Sequence, residues 1–204
     1  MPAGPTGYAR QAGVPRRQGR EPLAGLFAVG GQSSAMLRGI GHKIETEEGA
    51  MAKPKTPLSQ VSYGLYVVGS KGREGDHAMT ANWLTQVSFE PEIVAIAIEK
   101  GSLTRELIEE GGAFAVSILK SGQKEVAGRF AKADKSGMKS GDFVAKKTGA
   151  PVFRDAAAYL DCRVVDRKEI GDHVVFFGEV ADSGMLDERA EPLTLHETGW
   201  RYGG

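Results

Sequence analysis

Glu92-Ile93-Val94-Ala95-Ile96-Ala97-Ile98-Glu99 reads as one β-strand whose two faces are unlike. Side chains alternate along a strand, so Val94, Ile96 and Ile98 share one face and Ala95 and Ala97 the other. The branched face fills a core, and the alanine face lets a helix or a ligand approach closely. Glu90-Pro91 breaks the chain just before this strand. Further upstream, residues 63–70 predict a first strand, 72–76 a turn, and 77–89 a second, irregular strand. Short apolar runs between Gly, Asp, Lys and Pro are the texture of an antiparallel β-protein with a few helices.

Downstream, Ser102 is placed as the N-cap of a helix over 103–110. Leu103, Leu107 and Ile108 lie on one face of it, and Gly111-Gly112 ends it. Residues 113–119 follow as a strand with Phe114, Val116 and Ile118 on a single side. Ser121 is read as the cap of a second short helix, in which Val126 and Phe130 pack and Arg129 and Lys132 face water. The stretch 133–149 reads as a surface excursion. Two long strands, 157–170 and 172–182, form a hairpin through Gly171-Asp172. Residues 193–195 and 200–202 are expected to close the sheet. There is no internal repeat.

The 204 residues suit one main core; 41% are apolar, 25% are charged, and the mean hydropathy is −0.27. Twenty-six basic residues against twenty-six acidic ones give no electrostatic drive towards nucleic acid. A single cysteine, Cys162, forms no intrachain disulfide, and four histidines at 42, 77, 173 and 196 are scattered. A reducing cytoplasm is the expected setting. The first fifty residues hold 10 of the 28 glycines and 4 of the 9 prolines, which leaves little for regular elements. Arg16-Arg17 before an apolar run over 23–30 weakly imitates an export signal, but Glu21-Pro22 interrupts it and the run is too short to span a bilayer. Residues 1–55 are therefore read as a disordered extension or a misassigned start, with Met51 as the natural beginning, and 56–204 as the functional domain.

No nucleophile elbow, His-Glu-x-x-His motif, metal-ligand spacing, Walker loop or Gly-x-Gly-x-x-Gly fingerprint occurs. Cofactor-borne chemistry is the better reading, because a bound flavin needs shape and hydrogen bonds rather than a catalytic triad. Phosphate-binding candidates are Thr80-Ala81-Asn82-Trp83, Gln86-Val87-Ser88 and Lys100-Gly101-Ser102-Leu103-Thr104, the last at a helix start. Each is ordinary alone: Ser102 as an N-cap, Thr80 and Ser88 as strand hydroxyls, Lys100 as a solvated charge. Their order carries more than their types.

Tyr63-Gly-Leu-Tyr-Val-Val, the run Thr80 to Ser88, Glu90-Pro91, Ser102-Leu-Thr104, Phe114-Ala-Val-Ser-Ile-Leu119, Arg129-Phe130 and Gly171-Asp-His173 through Gly178-Glu-Val180 occur in that order. Over residues 61–202 the chain resembles the flavin reductase-like proteins of the FMN-binding split-barrel fold. The resemblance implies a mainly β Greek-key split barrel with a few short helices, a homodimer with FMN near the subunit interface, and hydride passed from NADH or NADPH to the flavin. It implies that Thr80, Ala81, Asn82 and Trp83 border the flavin, that Val87 and Ser88 add ring or phosphate contacts, and that Lys100, Ser102 and Thr104 surround the phosphate. His173 would face the outer side of the ring, where nicotinamide or acceptor approaches. Phe130 would pack its helix, and Tyr202 would close either the pocket or the core.

The opening Tyr-Gly-Leu-Tyr and Asn82-Trp-Leu-Thr-Gln86 are similar to modules linked to rubredoxin and to ferric reductases. Iron-carrying relatives use paired cysteines, whereas Cys162 stands alone on an inward strand face, the place of a buried inert thiol. Electrons would pass to free flavin, ferric chelate, oxygen, or a partner such as a flavin-dependent monooxygenase. A non-catalytic flavin-binding module and a pyridoxamine-phosphate-type oxidase are the rival readings.

Overall fold

A two-residue link, Asn82-Trp83, joins two strands that stand at opposite ends of the same sheet, and this decides the architecture. The computed structural model describes residues 56–73, 75–131, 138–139 and 141–202; the expectations for residues 1–55 and for Lys132 lie outside them. The strands are β1 (Tyr66–Gly72), β2 (Gly75–Ala81), β3 (Leu84–Phe89), β4 (Glu92–Glu99), β5 (Ala113–Ile118), β6 (Phe143–Ala145), β7 (Pro151–Phe153), β8 (Ala158–Ile170) and β9 (His173–Met185). Seven of them form an antiparallel sheet in the order β2-β1-β5-β8-β9-β4-β3, and β6 pairs with β7 separately. Since β2 runs into β3 through two residues, the sheet must curl until its edges meet. No ladder joins those edges among the described strands, so the barrel is split there. The path, in which β5 returns beside β1 after the β3–β4 hairpin, is that of a Greek key.

The expected alternation of β4 is observed. Val94, Ile96 and Ile98 are buried with Val68, Phe114, Val116, Cys162, Val174 and Phe176 inside the barrel, each worth about 1.5–3 kcal/mol relative to exposure for the larger side chains. Helix α1 (Leu103–Gly111) lays Leu107 and Ile108 against this core. As predicted, Ser102 caps it, accepting from the Arg105 N–H, and Gly112 ends it at φ 63°. A second cluster outside the barrel gathers Leu65, Val67, Leu119, Phe130, Phe153 and Leu193, using helix α2 (Lys124–Phe130) and the chain around α3 (Leu195–Thr198).

Five local expectations are corrected. Residues 77–89 are two strands, because the seam interrupts them at Asn82-Trp83. The excursion 133–149 contains β6, whose Phe143 packs its ring 5.7 Å from Phe130 and 5.6 Å from Phe153. Gln123, not Ser121, precedes α2, and Ser121 instead donates to Glu197 at 2.8 Å. Arg129 does not face water: it donates to Asp142 at 2.8 Å and lies 4.5 Å over the Phe130 ring. Residues 193–195 and 200–202 add no strand to the sheet. The tail is laced to the barrel by single bridges, Gly64 with Thr194 and Lys120 with Pro192, followed by α3.

Cys162 is fully buried on β8, and burial, reinforced by the Asp161 charge, pushes its thiol up to about 12. Iodoacetamide at pH 8 is expected to leave it unmodified in the folded protein and to label it after denaturation, as mass spectrometry will show. Rapid labelling of the native chain would overturn the inert reading.

Candidate functional site

The site grows from the outer face of β4. In the register of the sheet, Ala95 faces Thr85 on β3 and Phe177 on β9, and Ala97 faces Val175. Methyl groups in place of branched side chains leave an open depression of about 250 Å³. Its floor is Ala95, Ala97 and Val175, and Tyr63, Trp83 and Thr85 stand around it. Among the described residues no helix contributes to the lining.

The seam supplies the principal wall. The Ala97 N–H donates to the Trp83 carbonyl at 3.0 Å, fixing the link beside the alanine floor. The indole of Trp83 meets the ring of His173 at 4.7 Å between centroids, and that of Tyr202 at 5.6 Å in a T-shaped arrangement. His173 opens β9 opposite Glu99, is only 9% exposed, and its Nδ1 shares a 2.7 Å hydrogen bond with Asp172 Oδ1. Two buried donors are left over: the Trp83 Nε1–H and the Asn82 side-chain amide have no hydrogen-bond partner. A donor in that state costs about 1–3 kcal/mol, so a ligand that presents acceptors beside an apolar body relieves a standing penalty.

The remaining expected residues are dispersed. Thr80 donates its hydroxyl to the Ala127 carbonyl at 2.7 Å, tying β2 to α2, and Ala81 is packed into the barrel core. Ser102 donates to the Glu99 carbonyl at 2.8 Å while capping α1. Thr104 is fully buried, 2.9 Å from Nδ1 of His77. Lys100 pairs with Glu169 at 3.1 Å, both side chains exposed. Val87 is exposed, and Ser88 sits at a bulge opposite Ile93. Lys100 follows Glu99 at the other end of β4, so the Val87-Ser88 and Lys100-Ser102 groups lie roughly 20 Å apart along that strand.

Sequence reasoning named Asn82, Trp83 and His173, which the fold brings together, but assigned no site role to Tyr63, Ala95, Ala97 or Val175. The alanine alternation was the signal for two of them. Thr104→Val, which keeps the shape and removes the hydroxyl beside His77, is expected to lower stability by about 1–3 kcal/mol in urea unfolding. An unchanged midpoint would mean that the contact with His77 adds nothing to stability.

The model of the flavin reductase-like domain matches residues 58–204. The chain belongs to the flavin reductase-like family. Among family members, the ferric-chelate reductase (NAD(P)H) of Archaeoglobus fulgidus is 34% identical over 140 residues, covering 66% of this chain and 82% of the relative. Diflavin flavoprotein A 1 of Synechocystis is 32% identical over 143 residues, 67% of this chain. The match spans about a quarter of that longer protein, 24% of its length. The solved styrene monooxygenase flavin reductase of Pseudomonas putida S12 superposes with a TM-score of 0.62 at 26% identity, covering 71% of this chain and 93% of that one. The family's barrel is the fold described above.

Proposed function

We propose that the chain is an NAD(P)H-dependent flavin oxidoreductase that holds FMN in the groove beside Trp83. The observation that carries this reading is the apolar depression floored by Ala95 and Ala97, with Trp83, whose Nε1 donor has no partner, in its wall. An isoalloxazine ring is flat and apolar in its body and carries carbonyl and imine acceptors on one edge, so it fits both. A flavin held there by Trp83 over the alanine floor would supply the redox chemistry, hydride uptake from nicotinamide and electron release to an acceptor.

The chain's own residues bind and orient. Ala95 and Ala97 permit close approach, Trp83 walls the ring, and His173 stands at the end of the groove where the second reactant approaches. The turn at Lys100-Gly101-Ser102, with the Lys100 ammonium beside the start of α1, is our assignment for the phosphate. Val87 and Ser88 are too distant to join that turn on one flavin within one copy. We therefore read them as serving the site of a second copy in a homodimer, for which the exposed Val87 and Phe89 on the edge strand β3 supply apolar surface. The acceptor class we favour is free flavin passed to a partner monooxygenase, with ferric chelate as the alternative. Their support is the likeness to the flavin reductase and ferric-chelate reductase named above. Cytoplasmic residence is our reading of the single cysteine.

Mixing the protein with NADH or NADPH and with FMN or FAD, and following loss of nicotinamide absorbance, tests the activity. Catalytic oxidation with a flavin supports it. Flavin binding without turnover favours the non-catalytic module, and neither binding nor turnover overturns the assignment. Sedimentation as a monomer at all concentrations removes the shared site.

A further inference from the structure

Trp83 has two aromatic neighbours, and only one of them comes from the barrel. That one is His173 of β9, 4.7 Å from the indole. The other comes from the tail: the rings of Tyr202 and Trp83 stand in a T-shaped arrangement, with centroids 5.6 Å apart and planes at 65°. Backbone bonds make the tail a fixed part of the fold. The Leu65 N–H donates to the Leu193 carbonyl at 2.9 Å, the Leu193 N–H to the Leu119 carbonyl at 2.8 Å, and the Leu195 N–H to the Tyr63 carbonyl at 2.9 Å. After α3, Gly199 turns the chain at φ 69°, and Trp200 lies against α2, where a Cβ on Gly128 would stand 3.4 Å from its ring. Tyr202 thus reaches Trp83 from a strap anchored to the barrel and α2. Its phenol is half-buried, and its pKa is raised by burial and then by the negative charges of Glu99 and Asp172. Those are the cross-strand neighbour and the hydrogen-bond partner of His173, so the tail tyrosine lies against the same corner.

We propose that Tyr202 is a positioning residue for flavin binding, which sets the indole of Trp83 as the wall of the groove by edge contact from the C-terminal strap. The proposal rests on the placement of flavin in that groove. The ring is the working part and the hydroxyl is secondary, because a T-shaped pair is held by the positive edge of one ring against the negative face of the other.

The chain has two tryptophans, so Trp200→Phe leaves Trp83 as the sole reporter and serves as the background. In it, Tyr202→Ala is expected to shift Trp83 emission to the red and to raise the Kd for FMN roughly threefold to tenfold, the scale of an aromatic edge contact. Tyr202→Phe is expected to restore both. If Tyr202→Ala does not fold, Tyr202→Leu, which keeps apolar volume without a ring edge, takes its place and is expected to show the same two changes. Wild-type emission and Kd in the Ala or Leu variant overturn the proposal. A Trp83→Ala control separates it from the reading beneath it. If Trp83→Ala weakens FMN and the Tyr202 variants do not, only the positioning role falls; if neither weakens FMN, the flavin is not in this groove and both fall.

Discussion

His173→Ala will slow reduction of bound flavin by NADH roughly tenfold to a hundredfold, a barrier increase of about 1.4–2.7 kcal/mol. Hydride transfer requires close stacking of the two rings and no obligatory protein acid or base, so His173 acts by position and hydrogen bonding. Its place supports this: it is the next outward residue after Val175 along β9, at the end of the alanine floor, with Nδ1 committed to Asp172 at 2.7 Å. The ring is also a packing element, 9% exposed and tilted at 42° against Trp83, so the alanine variant is expected to loosen that wall as well. His173→Phe separates the two contributions, since it keeps a ring against Trp83 and removes both nitrogens. Anaerobic stopped-flow reduction isolates the step from whatever acceptor follows. A rate within about twofold of wild type in both variants would reduce His173 to a packing residue.

Gly69→Ala will destabilise the domain by about 3 kcal/mol or more, the upper range of overpacking costs. A Cβ on Gly69 of β1 would stand 1.9 Å from the carbonyl oxygen of Pro151 and 2.9 Å from its carbonyl carbon. No rotamer change relieves a clash with backbone, and Pro151 is itself buried in β7 and paired to Ala145. Relief requires β7 to withdraw, which disturbs Val152 and Phe153, both buried in the clusters beside the barrel. At about 2–4 °C per kcal/mol for a domain of this size, the melting temperature is expected to fall by roughly 10 °C. A fall of less than about 2 °C would mean that β7 moves freely, against the packing described here.

β4 was legible in full, because period-two alternation of branched residues against alanines carries both the strand and its faces. The start and stop of α1 were legible for a similar local reason: Ser102 and Gly112 perform capping that residues within one turn require. The β8–β9 hairpin was readable from Gly171, which adopts φ 57°. The family, and with it the barrel, was visible in the order of short fragments.

The cap of α2 was misread because Ser121 is claimed by Glu197, 76 residues away, and no local rule sees a partner at that distance. The contact of Thr104 with His77 of β2 is out of reach of a local rule for the same reason. By itself the sequence determined what neighbours along the chain decide: strand faces, caps, turns, the inert setting of Cys162, and a vocabulary of flavin-type residues in family order. The tertiary structure alone decided which of those residues share a site. Trp83, Ala97 and His173 meet across the neighbouring strands β3, β4 and β9, whereas Tyr202 belongs to a strap bonded beside β1 and reaches Trp83 only because the sheet curls. Long-range closure of that kind depends on the summed twist and packing of the whole sheet, a quantity that no short window of residues contains.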